Sequence, residues 1–176
     1  MPSTHTHTAT LLLGSNLGNR EDFLQQAEQL IAEKCGPVTA SSSVYETKAW
    51  GKTDQSDYLN KVVCCETTQT PVELLMRCLS IEKELGRTRA EKWGNRTIDI
   101  DLLYMDRIVM ATNQLILPHP QIQHRKFVLI PLNEIDPEGV HPVLNFSNKQ
   151  LLERCTDTLL VELKIPNSKK QIPNSR

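Results

Sequence analysis

The sequence lacks the features that would place it in a membrane, on an export route or on nucleic acid. No apolar run approaches the roughly 18–20 residues that are needed to span a bilayer. The first residues carry neither a positive segment nor a long apolar one, so we expect no export signal. A net charge of −1 and a pI near 6.5 argue against a dedicated nucleic-acid binder.

A disulfide framework is also missing. The five cysteines are odd in number and form no Cys-x-x-Cys pair, which favours reduced thiols that act as small hydrophobic side chains. Among the 176 residues, 39% are apolar and 23% are charged, as is ordinary for one soluble domain with a core of its own. These observations together predict a cytoplasmic enzyme.

The apolar pattern predicts the order strand, helix, strand, strand, helix, strand. The predicted segments are 10–13, 20–34, 38–47, 58–67, 71–85 and 97–103. This order is that of the split β-α-β arrangement. We therefore expect an α+β protein with a ferredoxin-like β-α-β-β-α-β core, an antiparallel sheet and a C-terminal extension. We further expect its fourth strand to be a central one.

The predicted domain covers residues 10–163, between flexible tails at 1–9 and 164–176. In the first tail, His5 and His7 alternate with threonine, a spacing that could bind a metal. A disordered tail is the favoured interpretation of this short polar segment.

Two aspartates stand one residue apart in the fourth predicted strand. Side chains two apart in a strand share a face, so Asp99 and Asp101 point the same way, roughly 6.5–7 Å apart along the backbone. Two carboxylates held that close raise each other's pKa unless a cation sits between them. Magnesium is the natural cation, because it prefers oxygen ligands and is usually held by one or two carboxylates together with substrate phosphates.

Four cations precede the aspartates within ten residues, near Trp93 and Gly94. They are Arg87, Arg89, Lys92 and Arg96. An acidic pair on a strand behind a basic, glycine-containing loop suits a magnesium-bound polyphosphate. The alternative from these residues alone is a solvated strand face beside a charged loop.

Several motifs also follow an order that is typical of one known enzyme family. The most specific is Arg96–Leu103, preceded by Trp93-Gly94 and followed by Leu117–Pro120. Further matching segments are Leu13–Gly18, Tyr45–Thr47, Asp57–Asn60 and Ile81–Arg87. Together they closely resemble the 6-hydroxymethyl-7,8-dihydropterin pyrophosphokinases of folate biosynthesis, across residues 10–160.

The resemblance implies transfer of the β,γ-pyrophosphoryl unit of ATP, the co-substrate, to the hydroxymethyl group of the pterin by a monomer, with release of AMP. It implies two magnesium ions on Asp99 and Asp101, and a catalytic set of these two aspartates with Arg87 and Arg96. The implied ATP-binding residues are Glu82, Arg87, Arg96, His119 and Arg125. The implied pterin-binding residues are Thr47, Tyr58, Asn60, Trp93 and Phe127.

The sequence departs from the family pattern in two places. Lys48-Ala49-Trp50 replaces a segment that often holds prolines, and Asn95 stands where proline is common, which predicts a looser catalytic loop.

The sequence leaves the identity of the proton acceptor open: it is either Asp101 or a metal-bound water. A magnesium-dependent phosphohydrolase or nuclease would use the same aspartates, and a nucleotide- or pterin-sensing module would bind without turnover.

Overall fold

A computed structural model describes residues 4–48, 56–87 and 96–166 of the chain. Its strands are β1 (His7–Ser15), β2 (Val38–Ser41), β3 (Tyr45–Thr47), β4 (Tyr58–Thr67), β5 (Asp99–Met105), β6 (Met110–Ala111), β7 (Ile116–Leu117) and β8 (Val161–Leu163). Its α-helices are α1 (Arg20–Lys34), α2 (Pro71–Glu84), α3 (Lys126–Ile135) and α4 (Asn148–Arg154), and a 3-10 turn covers Ile122–His124.

The two long helices begin where their capping residues predict. The Asn19 side chain accepts a hydrogen bond from the backbone N–H of Asp22 and caps α1. Thr70 and Glu73 form a reciprocal capping box at the start of α2. Local side-chain chemistry therefore determines where both helices start.

The main sheet has the order β5-β1-β4-β3-β8, with β2 also paired to β4. All of its pairings are antiparallel, which confirms the predicted α+β class and is consistent with the ferredoxin-like core. The prediction that the aspartate-bearing strand is central is wrong. In this order β5 follows α2 but borders only β1 among the described residues, so it lies at an edge of the sheet.

The first strand begins inside the segment that was predicted to be a flexible tail. His7 pairs with Thr67 across β1 and β4, so β1 starts before Thr10. A second difference lies in the predicted strand over residues 38–47, which is divided into β2 and β3. Both differences arise from pairing with β4, a partner distant in sequence that local patterning cannot supply.

The sheet separates two apolar clusters. One side packs against α1 and α2 and includes Ile98, Ile100 and Leu102. The other side packs against α3 and α4 and includes Leu12 and Leu103. The strand alternation therefore buries the isoleucines under α1 and α2 and directs the aspartates of β5 to the opposite face. Within the described residues, no helix has the length and apolarity that a membrane span requires.

Candidate active site

A cavity of about 740 Å³ opens on the α3 side of the sheet, at the end where β5 begins. This volume lies within the range of small-molecule binding sites. The lining comes from β1, β3, β4 and β5, from the start of α3 and from four connecting segments. The lining residues are Leu12, Gly14, Thr47, Lys48, Tyr58, Asn60, Arg96, Asp99, Asp101, Gln121, His124, Arg125, Phe127, Thr156, Asp157 and Thr158.

The two aspartates both face this cavity, but their surroundings differ. No described residue donates a hydrogen bond to the Asp101 carboxylate. Burial, and next the negative charges of Asp99 and Glu82, raise the pKa of Asp101 to about 7. An oxygen-only donor set with excess negative charge fits a magnesium ion well.

Asp99, in contrast, is paired with two arginines. Its Oδ1 lies 2.8 Å from an Arg87 guanidinium nitrogen, and its Oδ2 lies 2.9 Å from one of Arg96. The structure therefore brings together all four predicted catalytic side chains beside the first residues of β5. Arg87 reaches Asp99 without lining the cavity itself.

Glu82 lies behind β5 and is only 2% exposed. Its Oε1 accepts a hydrogen bond of 2.8 Å from the backbone N–H of Ile100, and its Oε2 lies 2.5 Å from Arg87. Burial raises the pKa of Glu82 to about 7. The carboxylate thus stabilises the outer edge of β5 between the two aspartates and also contacts Arg87. Glu82 does not line the cavity.

Asn16 fixes the backbone of Arg96, a contact that sequence reasoning missed. Its Oδ1 accepts a hydrogen bond of 2.7 Å from the Arg96 N–H, and its own N–H donates to the Arg96 carbonyl at 3.1 Å. The side chain is 1% exposed. The only sequence signal was the position of Asn16 in the Leu13–Gly18 motif, which assigned it no role.

Gly14 permits a close approach at the floor of the cavity. It pairs with Asp99 on one side and with Asn60 on the other. A Cβ at this position would lie 2.8 Å from Asn60 Oδ1, a distance that forces a shift. The absence of a side chain therefore keeps the buried Asn60 amide in place beside the aspartates.

Four of the five predicted pterin contacts line the same cavity. Thr47 and Asn60 are both 4% exposed, and Thr47 Oγ1 has no hydrogen-bond partner among the described residues. Tyr58, whose pKa is raised by burial, and Phe127 add aromatic surface. A buried hydroxyl without a partner in a polar and aromatic cleft is suited to hydrogen bonding with a flat heterocyclic ligand.

The two predicted ATP contacts beyond β5 occupy different places. Arg125 lines the cavity, with its guanidinium carbon 5.5 Å from the centre of the Phe127 ring. His119 does not line it. Its backbone N–H donates to the Leu103 carbonyl, its Nδ1 accepts from the Gln121 N–H, and burial lowers its pKa.

Seven positions that entered the sequence-based predictions by name lie outside the described residues. These positions are Ala49, Trp50, Arg89, Lys92, Trp93, Gly94 and Asn95. The stacking role of Trp93 and the loosening effect of Asn95 accordingly stay predictions.

A C-terminal segment also reaches the cavity, through Thr156, Asp157 and Thr158. The Asp157 carboxylate accepts hydrogen bonds of 3.0 Å from the N–H groups of Lys126 and Leu159. It thereby holds the segment against the start of α3. No local pattern marked these residues, because their position depends on how the end of the chain returns to the sheet.

A carboxylate pair of which only Asp99 is bound by arginines, next to a buried polar cleft on an antiparallel sheet, is typical of enzymes that handle metal-bound polyphosphates. The more specific assignment comes from the family model for 7,8-dihydro-6-hydroxymethylpterin-pyrophosphokinase, which matches residues 10–137. The chain belongs to this family, and the resemblance noted in its motifs is confirmed.

Similar proteins agree with that assignment. A Bacillus subtilis 2-amino-4-hydroxy-6-hydroxymethyldihydropteridine pyrophosphokinase is 48% identical over 72% of this chain and 77% of its own length. The Haemophilus influenzae protein of the same name is 38% identical over 89% of this chain and 98% of its own. Both similarities extend over most of each protein, so they concern the whole domain.

A similar fold occurs in a crystal structure of Plasmodium falciparum HPPK-DHPS with pteroate. The TM-score is 0.70 at 18% identity, and the match covers 85% of this chain and 42% of that one. The present chain thus spans less than half of that longer protein. At this level of identity the similarity supports the fold alone.

Proposed function

We propose that this chain transfers pyrophosphate from ATP to the hydroxymethyl group of 6-hydroxymethyl-7,8-dihydropterin, giving AMP and the pterin diphosphate in folate synthesis. The observation that carries the proposal is one cavity that combines the Asp99–Asp101 pair with the buried polar groups of Thr47 and Asn60. The first set suits a metal-bound triphosphate, and the second suits the donor and acceptor edge of a pterin.

Two magnesium ions would be held by Asp99 and Asp101, and they would neutralise charge on the triphosphate. The raised pKa of Asp101 reflects its burial and the negative charges of Asp99 and Glu82, which the positive charges of Arg125 and Arg96 offset only in part. A cation at this position removes that cost. The affinity for the metal and for the triphosphate should therefore be mutually dependent.

Arg87 and Arg96 change partners in the proposed reaction. In the ligand-free chain both guanidinium groups neutralise Asp99 at 2.8 and 2.9 Å. Binding of cations at Asp99 would release them to the phosphate oxygens, where planar guanidinium groups form paired hydrogen bonds. Glu82 keeps Arg87 beside the site during this exchange, because its carboxylate contacts the same guanidinium.

The pterin would occupy the inner part of the cavity. Thr47 Oγ1, which lacks a described partner, and the Asn60 amide would bind its polar edge. Phe127 and Tyr58 would contact its flat faces, and the Phe127 ring already lies beside the Arg125 guanidinium. This arrangement holds the acceptor next to the aspartate pair and orients its hydroxymethyl group toward the phosphates.

A hydrolase would need the acidic pair but not the polar and aromatic groups that line the same cavity, whereas a pterin-sensing module would share these groups and differ only in the absence of turnover. We further propose that the enzyme works in the cytoplasm as a monomer. The five free cysteines, four of them buried, are consistent with a reducing compartment.

The test is a nucleotide-product assay with ATP, magnesium and the hydroxymethyl pterin, with a control that omits the pterin. The proposal expects AMP only with the pterin, one molecule for each pterin consumed. ADP would indicate ordinary phosphoryl transfer, breakdown without the pterin would indicate a hydrolase, and the absence of turnover would indicate a sensing module.

A matched pair of variants tests the pterin cleft. Thr47→Val removes the unpartnered hydroxyl and should raise the KM for the pterin while leaving that for ATP nearly unchanged. Thr39→Val makes the same change on β2, outside the cavity, and should leave both KM values unchanged. Equal effects of the two substitutions would contradict the assignment of Thr47.

A further inference from the structure

Two histidines and an aspartate meet at the opposite end of the sheet from the active site. His7 is the first residue of β1, His5 precedes it, and Asp106 follows the last residue of β5. Along β1, Gly14 beside the acidic pair lies seven positions after His7, a span of about 24 Å. This cluster is therefore independent of the catalytic cavity.

The three side chains lie close enough to share one ion. His7 Nδ1 is 2.6 Å from Asp106 Oδ2, and the rings of His5 and His7 are 4.7 Å apart in an edge-to-face arrangement. One potential ligand atom from each residue lies within 4.8 Å of the other two. Extended backbone places alternate residues on one face, which explains why both histidines point to the same side.

Backbone contacts hold Asp106 in position for this role. Its φ is 48°, its N–H donates to the Thr8 carbonyl at 2.9 Å, and its Oδ1 accepts from the Thr8 N–H at 2.8 Å. Oδ2 is consequently directed at His7.

We propose that His5, His7 and Asp106 bind a divalent transition-metal ion such as zinc. Two imidazoles and a carboxylate suit zinc, nickel or copper, whereas magnesium prefers an all-oxygen set. Tetrahedral zinc with bonds of about 2.1 Å places its ligand atoms about 3.4 Å apart. Rotation of the exposed His5 ring toward the other two, and a small separation of His7 from Asp106, would reach that geometry.

The bound ion would join two segments that are far apart in the sequence. His7 and Asp106 are separated by 99 positions, and the ion would fix the start of β1 to the turn after β5. A ligand that binds only the folded state stabilises it according to its concentration and affinity. The expected role is therefore stabilisation of the fold, with a fourth position left for water.

The test begins with the full chain after treatment with a chelator. Zinc is titrated into this protein in excess magnesium, and binding is measured by calorimetry. His5→Gln is the sharpest variant, because His5 is exposed and lies outside the strands. Asp106→Asn removes the charge but tolerates the left-handed backbone. Each should weaken one zinc-binding event by at least about ten-fold, the lower end of the effect seen when even indirect partners of a metal are removed.

The matched control is Thr6→Ala, a substitution at the exposed residue between the two histidines, which supplies no imidazole or carboxylate. It should retain this binding event, and zinc should raise the unfolding temperature of the control and the wild type but not of His5→Gln. Zinc at Asp99 and Asp101 would be common to all variants and so would not affect the comparison. Equal zinc binding by wild type and His5→Gln, or the absence of binding, would overturn the proposal.

Discussion

Asp101→Asn should stabilise the metal-free chain while it abolishes catalysis. No described residue donates a hydrogen bond to this carboxylate, which is buried close to the negative charges of Asp99 and Glu82. Asparagine has nearly the same shape but carries no charge. The substitution therefore relieves an electrostatic cost that the functional protein accepts in order to bind cations.

The pKa shift sets the direction and size of the effect. The pKa of Asp101 is about 7, roughly three pH units above the ordinary 3.8. The folded chain thus holds a proton that the unfolded chain has lost between these values, so stability falls as pH rises through this window. At about 1.4 kcal/mol per unit the upper bound is on the order of 4 kcal/mol.

The expected gain from a single substitution is smaller than this bound. Asp99 and Glu82 keep their charges and still repel each other, so we expect roughly half the bound, on the order of 2 kcal/mol, above about pH 8. For a domain of this size that corresponds to a rise of about 4–8 °C in Tm. Near pH 4 the two proteins should be equally stable.

The assay is thermal or denaturant unfolding in chelator, across the pH range, for wild type and for Asp101→Asn. Asp99→Asn is the matched control, because Asp99 is paired with Arg87 and Arg96. Its loss leaves two guanidinium groups without that partner, so this variant should gain no stability. Pterin-dependent AMP formation should fall at least about 10²-fold in Asp101→Asn.

Three results would refute the reasoning. An Asp101→Asn variant that is less stable than wild type at about pH 8 would show that Asp101 is not under electrostatic stress. An unchanged pH dependence of stability would show that another group causes the decline. Full activity with magnesium in that variant would remove Asp101 from the cation site.

Three further predictions concern other parts of the site and fold. Gly14→Ala should displace the Asn60 amide, which would lie 2.8 Å from the new methyl group, and should raise the pterin KM more than the ATP KM in steady-state kinetics. Arg87→Lys keeps the charge but loses the planar fork, so kcat should fall by about 10²-fold. Tyr45→Phe removes a 2.6 Å hydrogen bond to the exposed Glu134 and should cost about 1 kcal/mol in unfolding experiments at neutral pH. Burial opposes the lowered pKa of Glu134 but its hydrogen bonds outweigh it, so that cost should shrink as acid protonates the carboxylate.

Local chemistry made several features predictable from the sequence. The alternation after Thr97 placed Asp99 and Asp101 on one face, because side chains in a strand repeat every two residues. The caps at Asn19 and Thr70 determined the helix starts, since each satisfies backbone groups within a few residues of itself. The motifs were specific enough to identify the enzyme family from the order of residues alone.

The tertiary structure decided what depends on distant segments meeting. Glu82, whose contact with ATP stays a prediction, supports β5 through the Ile100 N–H, because the packing of α2 against the strand edge determines what its carboxylate reaches. Thr156 lines the cavity because the C-terminal segment returns to the sheet. His7 belongs to β1 and not to the predicted tail, because it pairs with Thr67. A sequence specifies which groups can bind and which local shapes they adopt, whereas pairings across tens of residues depend on the free energy of the whole fold.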